Sequence, residues 1–370
     1  MATKMPPSAR ILHISEILRG GVGSYLEEVL PYQAEKLGKE NVLLLAPEEQ
    51  SKYLSPGLIS NVEFYQNTGR NFLSLVQLWR AARSCIGRYK PDLVHLHSSF
   101  AGGVIRLPLA SRRQRPKTVY CPHGWAFKST DNAALKHLYA AIERLLSRET
   151  DIIINVCRAE ANDAASLGLP RKKLAVILNG ISSSIPQSNI SIKFEPGKIN
   201  LLFAGRDDKQ KGLDLLVEAM KHVVDRPIHL HIIGNSSTKE NYRLPNITSY
   251  GWVSRADVSA YIDASDALIM PSRYEGLPLV AIEAMRKGRP VIASWCDGLA
   301  ELVVDGETGI LFAPNDVQAI VNALRSIDHR QLRNMRLPAA QRFQSKFTSD
   351  RMNSELLNLY SSIMGGTLQR

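Results

Sequence analysis

Long hydrophobic runs are absent from this sequence. The longest apolar stretches, such as residues 41–47 and 151–156, are far shorter than the ~20 residues that cross a bilayer as a helix. The first residues, MATKMPPSARILHIS, also lack the apolar segment and cleavage site of a secretory signal peptide. We therefore expect a cytoplasmic protein, in which any membrane contact is peripheral and made at the inner face.

Cysteine is scarce, and no D-x-D motif occurs. The four cysteines lie far apart without a C-x-x-C pair, which favours reduced thiols over a disulfide framework or a zinc site. Two histidine pairs, His95/His97 and His229/His231, each lie two residues apart on a strand and so share a face, but zinc would need a further ligand. We expect no metal and no cofactor.

The dinucleotide-binding pattern is also missing. The two glycine-rich loops, residues 20–23 and 205–212, do not read G-x-G-x-x-G with an acidic residue ~20 positions later. An NAD-dependent dehydrogenase is therefore disfavoured.

Acidic residues are outnumbered, mainly in one half of the chain. Among 370 residues there are 46 Lys and Arg and 35 Asp and Glu, a formal charge of +11. Residues 1–180 carry 24 basic and 15 acidic side chains (+9), and residues 181–370 carry 22 and 20 (+2). Two stretches, 70–90 and 106–117, each have five basic residues and no acid. The excess favours an anionic partner, which could be a nucleic acid, a phosphate-bearing substrate or an acidic membrane, although a solvated face without a partner stays open. Nucleic acid is disfavoured because neither stretch has interleaved aromatic residues or a recognition motif.

Short apolar strands alternate with amphipathic helices along the whole chain. This alternation is typical of a parallel sheet covered on both faces. It dissolves into Ser, Pro and Asn around residues 181–198 and then restarts. The sequence thus predicts an α/β protein with two Rossmann-like, doubly wound domains, at residues 1–185 and 199–345, joined by a linker at 186–198. A final helix within 346–370 is expected to pack back toward the first domain, and ligands to bind at the strand ends in the cleft between the domains.

The densest group of candidate site residues lies in PSRYEGLPLVAIEAMRKGRPVIAS, residues 271–294. A helix is predicted to start at Pro278, where a missing N–H costs nothing. The free N–H groups of Gly276, Leu277 and Leu279 would then form a site for a phosphate or diphosphate at the positive end of the helix dipole.

Four charged side chains around these loops are candidate ligands of a nucleotide sugar. Glu275 at the loop tip could hold sugar hydroxyls, and Glu283 could accept both hydroxyls of a ribose. The second loop, GRDDKQKG, begins at Gly205, which allows the backbone to approach a ligand. Arg206 and Lys211 of this loop could neutralise a diphosphate leaving group, the task that a metal performs elsewhere.

These motifs resemble those of glycosyltransferase family 4. GRDDKQKG resembles the GR-x-D-x-Q-K-G stretch of that family, and residues 275–294 resemble its E-x7-E stretch. The resemblance covers nearly the whole chain and includes, in order, GGVG, PDLVHLHS, PHG, VILNG and ELVVDGETGILF. It implies the GT-B architecture, in which two Rossmann-like domains face each other across a cleft, and a retaining reaction.

The resemblance also implies residue roles on the donor side. Arg206 and Lys211 would bind the donor diphosphate, Glu275 the donor sugar and Glu283 the ribose, in agreement with the chemistry above. Asp207 departs from the family pattern, which has an apolar or small residue at that position.

Further roles on the donor side come from the resemblance alone. Gly21, within the loop 20–23, would close over the reaction centre, and His123 of PHG would lie near the donor sugar. The loop with Trp252 and Val253 would contact the base, largely through its backbone. The predicted catalytic residues are Glu275, His123, Arg206 and Lys211.

Acceptor contacts are predicted in the first domain. His97 and Ser98, at a strand end, are expected to point toward the cleft, together with Gly20 and Gly23. Trp125 could stack on a sugar ring or pack in the core. Helix 71–89 has an apolar stripe that could lie on a membrane, but a role as an ordinary crossover helix is favoured.

The sequence therefore predicts a retaining, metal-independent hexosyltransferase of polysaccharide biosynthesis. The resemblance favours a UDP-sugar as donor over GDP-mannose, and a glycan or polyprenyl-diphosphate-linked glycan as acceptor. The basic first half would dock on an anionic membrane. A nucleotide-sugar epimerase of the same architecture is the alternative. It differs from a transferase in acting on the donor alone, because an epimerase needs no acceptor. A basic nucleic-acid-binding protein is a weaker alternative.

Overall fold

The computed structural model of the chain contains two compact units. The first comprises residues 1–180 and 349–370, and the second residues 181–348. The described residues are 5–6, 8–55, 57–58, 61–67, 69, 71–110, 115–185, 188, 190–234 and 244–365. Arg70, Arg112 and Arg113 of the two basic stretches, and residues 186, 187 and 189 of the predicted linker, lie outside them.

The first unit is built on a seven-stranded parallel sheet in the order β3-β2-β1-β4-β5-β6-β7. Its strands are β1 (Ile11–Ser15), β2 (Val42–Pro47), β3 (Val62–Tyr65), β4 (Leu93–His97), β5 (Lys117–Cys121), β6 (Ile152–Asn155) and β7 (Leu174–Val176). Its helices are α1 (Gly21–Leu37), α2 (Phe72–Tyr89), α3 (Ser99–Ala110), α4 (Ala133–Leu146) and α5 (Arg158–Ser166). The central strands β1 and β4 are buried along their whole length, including His13, Ser15, His95 and His97, as expected for central strands of a parallel sheet that is covered on both faces.

The second unit repeats this plan with a six-stranded parallel sheet in the order β10-β9-β8-β11-β12-β13. Its strands are β8 (Ile199–Ala204), β9 (Ile228–Ile233), β10 (Ile247–Ser249), β11 (Ala267–Met270), β12 (Val291–Ser294) and β13 (Gly309–Phe312). Its helices are α6 (Leu213–Lys221), α7 (Arg255–Ala264), α8 (Leu279–Arg286), α9 (Asp297–Leu302), α10 (Val317–Ser326) and α11 (His329–Lys346). The predicted pair of doubly wound, Rossmann-like sheets is thereby confirmed.

The last helix, α12 (Ser349–Gly365), belongs to the first unit although it follows the second in sequence. Tyr360 of α12 is fully buried, and its hydroxyl lies 2.6 Å from Nδ1 of His95 in β4. The side-chain amide of Asn353 donates to the carbonyl of Glu28 in α1 at 2.9 Å. These contacts fix α12 against β4 and α1.

Helix α1 begins at Gly21, within the segment 20–23 that was predicted to be a glycine-rich loop. Gly20, with φ +75°, precedes the helix, and Gly21 and Gly23 already lie in its first turn. A Cβ atom on Gly23 would lie 1.8 Å from the carbonyl oxygen of Leu18. Glycine is thus required here because the helix starts in contact with the preceding backbone.

The basic stretches are less exposed than their composition indicated. Arg106 is fully buried and pairs with Glu143 at 2.7 Å. Arg115 and Lys117 both pair with Asp151, at 3.3 and 3.5 Å. Part of the excess charge of the first half is therefore neutralised within the fold.

Helix α2 packs on the sheet as a crossover helix. Leu78, Ala82 and Ile86 face the core, whereas Phe72 at its start is 81% exposed. Across the described part of the chain, no helix has the length and apolarity needed to span a membrane.

Candidate functional site

The candidate donor site lies where the strand order of the second sheet reverses. The loop with Arg206 and Lys211 follows β8, and the loop with Glu275 follows β11, the neighbouring strand. Successive connections leave such a pair of strands in opposite directions, which opens a crevice at their carboxyl ends. The topology thus brings together two loops that are 64 residues apart in sequence.

A buried ion pair joins these two loops. Lys211 Nζ lies 2.6 Å from Glu275 Oε1, and the two side chains are 18% and 6% exposed. The hydroxyl of Ser272 donates to the same carboxylate oxygen at 2.8 Å. The pair balances its own charge, so the positive charge of this site is smaller than two free cations would give.

Contacts from outside the predicted motifs hold the Glu275 loop. The N–H of Glu275 donates to Asp297 Oδ2 at 3.1 Å, and the Gln210 amide donates to the carbonyl of Tyr274 at 3.2 Å. A Cβ atom on Gly298 would lie 1.7 Å from the carbonyl oxygen of Gly276. Sequence reasoning missed Asp297 and Gly298, because only the packing of α9 against this loop gives them a role, and it assigned no role to Ser272 within the predicted motif.

Glycine positions the lysine as well. Gly212 has φ +68°, and a Cβ atom there would lie 2.1 Å from the carbonyl oxygen of Pro271. The close approach of the two loops at Gly212 places the preceding Lys211 beside Glu275. At the end of β8, Gly205 donates its N–H to the carbonyl of Ile233 at 3.1 Å.

Arg206 is an exposed cation of this edge. Its side chain is 62% exposed and lies 3.0 Å from Asp208 Oδ2. A second contact, at 3.4 Å, joins it to the side-chain oxygen of Gln210. Its charge remains accessible to a ligand in solution.

The start of α8 supplies backbone donors. Helix α8 begins at Leu279, one residue later than the predicted start at Pro278, and Pro278 is the residue before the helix. The side chains of Leu277 and Leu279 are buried, so only their backbones can face a ligand. Glu283 lies half-buried on the same helix, and Gly276 is half-buried in the loop before it.

The predicted base-contacting loop lies between β10, an edge strand of the second sheet, and α7, which packs against α8. Trp252 is 56% exposed and Val253 is half-buried. The N–H of Gly234, which ends β9, donates to the carbonyl of Gly251 at 2.8 Å.

In the first unit, the predicted acceptor residues divide into accessible and buried ones. Gly20 is exposed at the start of α1. His97 is completely buried, and Ser98, with φ +77°, is 8% exposed. His97 therefore does not present its ring to a ligand, contrary to the prediction; it lies 3.0 Å from His123 Nε2 through its Nδ1 atom.

Of the two roles predicted for Trp125, stacking on a sugar ring or packing in the core, the structure shows packing in the core. The side chain is 2% exposed and stacks on Phe127 with ring centroids 5.0 Å apart. Its indole N–H donates to Asn155 Oδ1 at 3.1 Å. Both ring faces are therefore unavailable to a sugar.

A third imidazole joins His95 and His97, which the sequence could not show. His13 in β1 is the third ring, and one ring nitrogen from each of the three histidines lies within 4.8 Å of the other two. All three rings are buried. Burial lowers the pKa of His13 to about 4 and of His123 to about 3, and it lowers those of His95 and His97 well below the usual value. The rings are therefore neutral at pH 7.

A cavity of about 130 Å³ opens at the carboxyl ends of β1, β2 and β3. Its lining includes the carboxylates of Glu16 and Glu49, the amide of Asn67 and the rings of Tyr65 and Phe100. Carboxylates, amides and aromatic faces of this kind suit a ligand rich in hydroxyl groups.

Comparison with known families and proteins places this site in context. The sequence profile described as Glycosyltransferase Family 4 matches residues 19–184, and the profile described as Glycosyl transferases group 1 matches residues 198–328. A Klebsiella pneumoniae relative, an uncharacterised 41.2 kDa protein in the cps region, is 33% identical over 95% of this chain and 99% of its own. An Escherichia coli relative, named UDP-Gal:alpha-D-GlcNAc-diphosphoundecaprenol alpha-1,3-galactosyltransferase, is 26% identical over 83% of both chains.

Two solved structures share the fold over almost the whole chain. A sucrose-phosphate synthase from Thermosynechococcus elongatus superposes with a TM-score of 0.81, at 20% identity over 97% of this chain and all of its own. Anabaena HepE, solved in complex with UDP and glucose, superposes with a TM-score of 0.78, at 19% identity over 96% of this chain and all of its own. The predicted GT-B architecture is confirmed.

Proposed function

We propose a reaction for this chain on the premise that it belongs to glycosyltransferase family 4 and is a glycosyltransferase of polysaccharide or glycan biosynthesis. The reaction transfers a hexose from a UDP-sugar to a glycan or polyprenyl-diphosphate-linked glycan, with retention of configuration and without a metal ion. The observation that carries the proposal is the Lys211–Glu275 pair at the switch point of the second sheet, beside the start of α8.

The charges around this pair suit a diphosphate leaving group. As the bond between the sugar and the phosphate breaks, negative charge grows on the leaving oxygen. Lys211, Arg206 and the first N–H groups of α8 are the positive groups proposed to stabilise that charge. Glu275 would accept hydrogen bonds from hydroxyls of the sugar, and Glu283 from those of the ribose.

The relatives support uracil as the base. The Escherichia coli relative is named for a UDP-galactose donor, and the Anabaena structure holds UDP and glucose. In this chain the exposed Trp252 and the backbone at Val253 would contact the base. GDP-mannose is the donor against which this choice is tested.

Retention follows if the acceptor attacks on the face from which the diphosphate leaves. The acceptor oxygen then bonds to C1 of the sugar, the bond from C1 to the diphosphate oxygen breaks, and the acceptor proton passes to that phosphate oxygen. This balance needs no protein base. His123 would contact the sugar, and Gly20, Gly21 and Gly23 would approach it through their backbone.

The acceptor is proposed to use the cavity beside β1, β2 and β3. Its carboxylates Glu16 and Glu49 favour a sugar with free hydroxyls over an anionic one.

Helix α4 is the surface that we assign to an anionic membrane. Four large apolar side chains on one face are 40–52% exposed: Leu135, Leu138, Ile142 and Leu145. Exposed basic side chains border this stripe at Lys136, Arg144 and Arg148. The helix has a single acid, Glu143, which is buried against Arg106, so the outer surface of α4 combines apolar and positive groups.

The donor proposal is tested first by binding. UDP-glucose, UDP-galactose and GDP-mannose are compared for their effect on thermal unfolding, and a UDP-sugar is expected to raise the Tm most. A larger shift with GDP-mannose would contradict the choice of base.

The pair is then tested by turnover, followed as UDP release in the presence of polyprenyl-diphosphate-linked oligosaccharides. Lys211→Met and Arg206→Met should each lower kcat/KM by about 10²- to 10³-fold, the usual cost of losing one group that stabilises a developing charge. Lys221→Met, on the surface of α6, is the control and should turn over normally. Near-normal turnover of either site variant, or a new sugar epimer formed from the donor alone, would refute the proposal.

The membrane surface is tested by sedimentation with vesicles rich in phosphatidylglycerol at low salt. Leu138→Ser with Ile142→Ser should abolish binding, because both side chains are exposed and the fold does not depend on them. Phe72→Ser on α2 is the control, an apolar residue on another helix that is even more exposed, at 81%. Equal binding by the α4 variant and the wild type would exclude this surface.

A further inference from the structure

A chain of hydrogen bonds links Gln33 in α1 to His123 through two buried imidazoles. The side-chain oxygen of Gln33 lies 2.8 Å from His13 Nε2. His13 Nδ1 lies 3.0 Å from His97 Nε2, and His97 Nδ1 lies 3.0 Å from His123 Nε2. Each of the two inner rings thus uses both of its nitrogens.

The direction of these hydrogen bonds follows from the first member. An amide oxygen can only accept, so His13 Nε2 carries the hydrogen. Because a neutral imidazole has one donor and one acceptor nitrogen, His13 Nδ1 accepts from His97 Nε2. In the same way His97 Nδ1 accepts from His123 Nε2. His123 is left with its hydrogen on Nε2 and a lone pair on Nδ1.

His95 lies beside this series of hydrogen bonds. Its ring centroid is 5.3 Å from that of His13 and 4.1 Å from that of His97, and its Nδ1 lies 2.6 Å from the Tyr360 hydroxyl. Gln33 presents its side-chain oxygen to His13.

Three of the four members cannot touch a substrate. Gln33, His13 and His97 are completely buried, and they lie on the central elements α1, β1 and β4 of the first unit. His123, in contrast, is half-buried and lies after β5 with φ +51°. The chain therefore runs from the core to one accessible ring.

We propose that Gln33, His13 and His97 are positioning residues that hold His123 in the tautomer with hydrogen on Nε2, so that its Nδ1 accepts a hydrogen bond from a hydroxyl of the transferred sugar. The proposal rests on the proposed function in one respect, the contact between His123 and the sugar. A ring held in this tautomer selects a hydroxyl that donates, and it needs no rotation or proton exchange when the sugar binds.

The tautomer is read directly by ¹⁵N NMR of protein labelled on histidine. The signals of His123 are assigned by their loss in His123→Gln. The wild type should show a protonated Nε2 and an unprotonated Nδ1 at His123. The opposite tautomer in the wild type would overturn the proposed series of hydrogen bonds. The tautomer itself is read from the wild-type protein, and the variant serves only to assign the signals.

Gln33→Met removes the acceptor that sets the direction while keeping the side-chain volume close. His123 should then populate both tautomers, and kcat for UDP release should fall about tenfold or more, the size of effect that outer hydrogen-bond partners of histidine have at metal sites. The Kd of UDP, which lacks the transferred sugar, should stay unchanged. Asn353→Leu, a polar-to-apolar change at another buried position of the same unit, is the control and should leave the tautomer of His123 unaltered.

Two outcomes separate this proposal from the proposed function. Full activity of His123→Gln would show that the reaction does not need a contact between His123 and the sugar. It would overturn both the role of His123 and the function proposed for this series of hydrogen bonds. A divalent cation present at one per protein after purification, lost with the NMR pattern on chelation, would also overturn the chain, since a metal held by His13, His95 and His97 would replace the hydrogen that His13 and His97 share.

Discussion

The buried ion pair of Arg106 and Glu143 gives the sharpest test of how this fold is stabilised. Arg106 Nη2 lies 2.7 Å from Glu143 Oε2, and the guanidinium also donates through Nε to the carbonyl of Gly102 at 2.7 Å. The guanidinium lies 4.0 Å from the centre of the Tyr120 ring, and the Tyr120 hydroxyl donates to Glu143 Oε1 at 3.1 Å. Arg106→Met leaves the carboxylate in the core with this hydroxyl as its one remaining partner among the described residues.

The expected cost is about 3–5 kcal/mol of unfolding free energy, which is what the loss of one partner of a buried pair costs elsewhere. For a unit of about 200 residues this lowers the Tm by roughly 6–20 °C. Arg106→Met with Glu143→Gln removes both charges but keeps an acceptor for Tyr120, so it should recover about 2 kcal/mol or more of that loss. The exposed pair of Arg88 and Glu63, which also lies in the first unit, is the control, and Arg88→Met should cost less than ~1 kcal/mol.

Trp125 provides the measurement. It is buried in the first unit, whereas Trp252 and Trp295 of the second unit are 56% and 62% exposed, so fluorescence during urea unfolding reports mainly on the first unit. If Arg106→Met lies within ~1 kcal/mol of the wild type, or if the double variant is no more stable than the single one, the reasoning is refuted.

Three further predictions use the same protein. Because burial lowers the pKa of His13 from 6.5 to about 4, the folded state binds fewer protons than the unfolded state between pH 6.5 and pH 4. The contribution of neutral His13 to the unfolding free energy is therefore complete above pH 6.5 and decreases as the pH falls toward 4. The loss from His13 alone should reach about 2 kcal/mol by pH 5, and an unfolding free energy that is constant between pH 7 and pH 5 would contradict this. Gly298→Ala would place a Cβ atom 1.7 Å from the carbonyl oxygen of Gly276, so it should cost about 1–3 kcal/mol and weaken UDP binding in calorimetry, whereas Gly103→Ala, which meets no heavy atom within 4 Å, should do neither. Trp125→Leu should lower the stability by about 3 kcal/mol but leave the KM of the acceptor within about twofold, and a large rise in that KM at unchanged stability would restore the stacking role.

The alternation of strands and helices was readable from the sequence because each strand of a covered parallel sheet is apolar throughout, while each helix is apolar on one face only. The glycine-rich segments 20–23 and 205–212 were equally readable, and each contains one glycine, Gly23 or Gly212, at which neighbouring backbone leaves no room for a Cβ atom. The helix start at α8 was predicted to within one residue, because proline marks the beginning of a helix wherever the fold places it.

Pairings between distant residues were not readable. Nothing in the basic stretch 106–117 distinguishes Arg106, which is buried against Glu143, from Arg115 and Lys117, which are half-buried and pair with Asp151. Trp125 follows a predicted site motif and yet packs on Phe127, because side-chain direction after a strand depends on what the adjacent elements leave open.

The sequence by itself determined the family, the two doubly wound units and the loops that carry charge, since these depend on local periodicity and on motifs of adjacent residues. Only the tertiary structure decided that Lys211 is paired with Glu275, that α4 carries an exposed apolar stripe, and that Gln33, His13 and His97 lead to His123. The physical reason is the same in each case. Hydrogen bonds, ion pairs and burial depend on distances between residues that the sheet topology brings together across tens of positions, and no local pattern of residues encodes those distances.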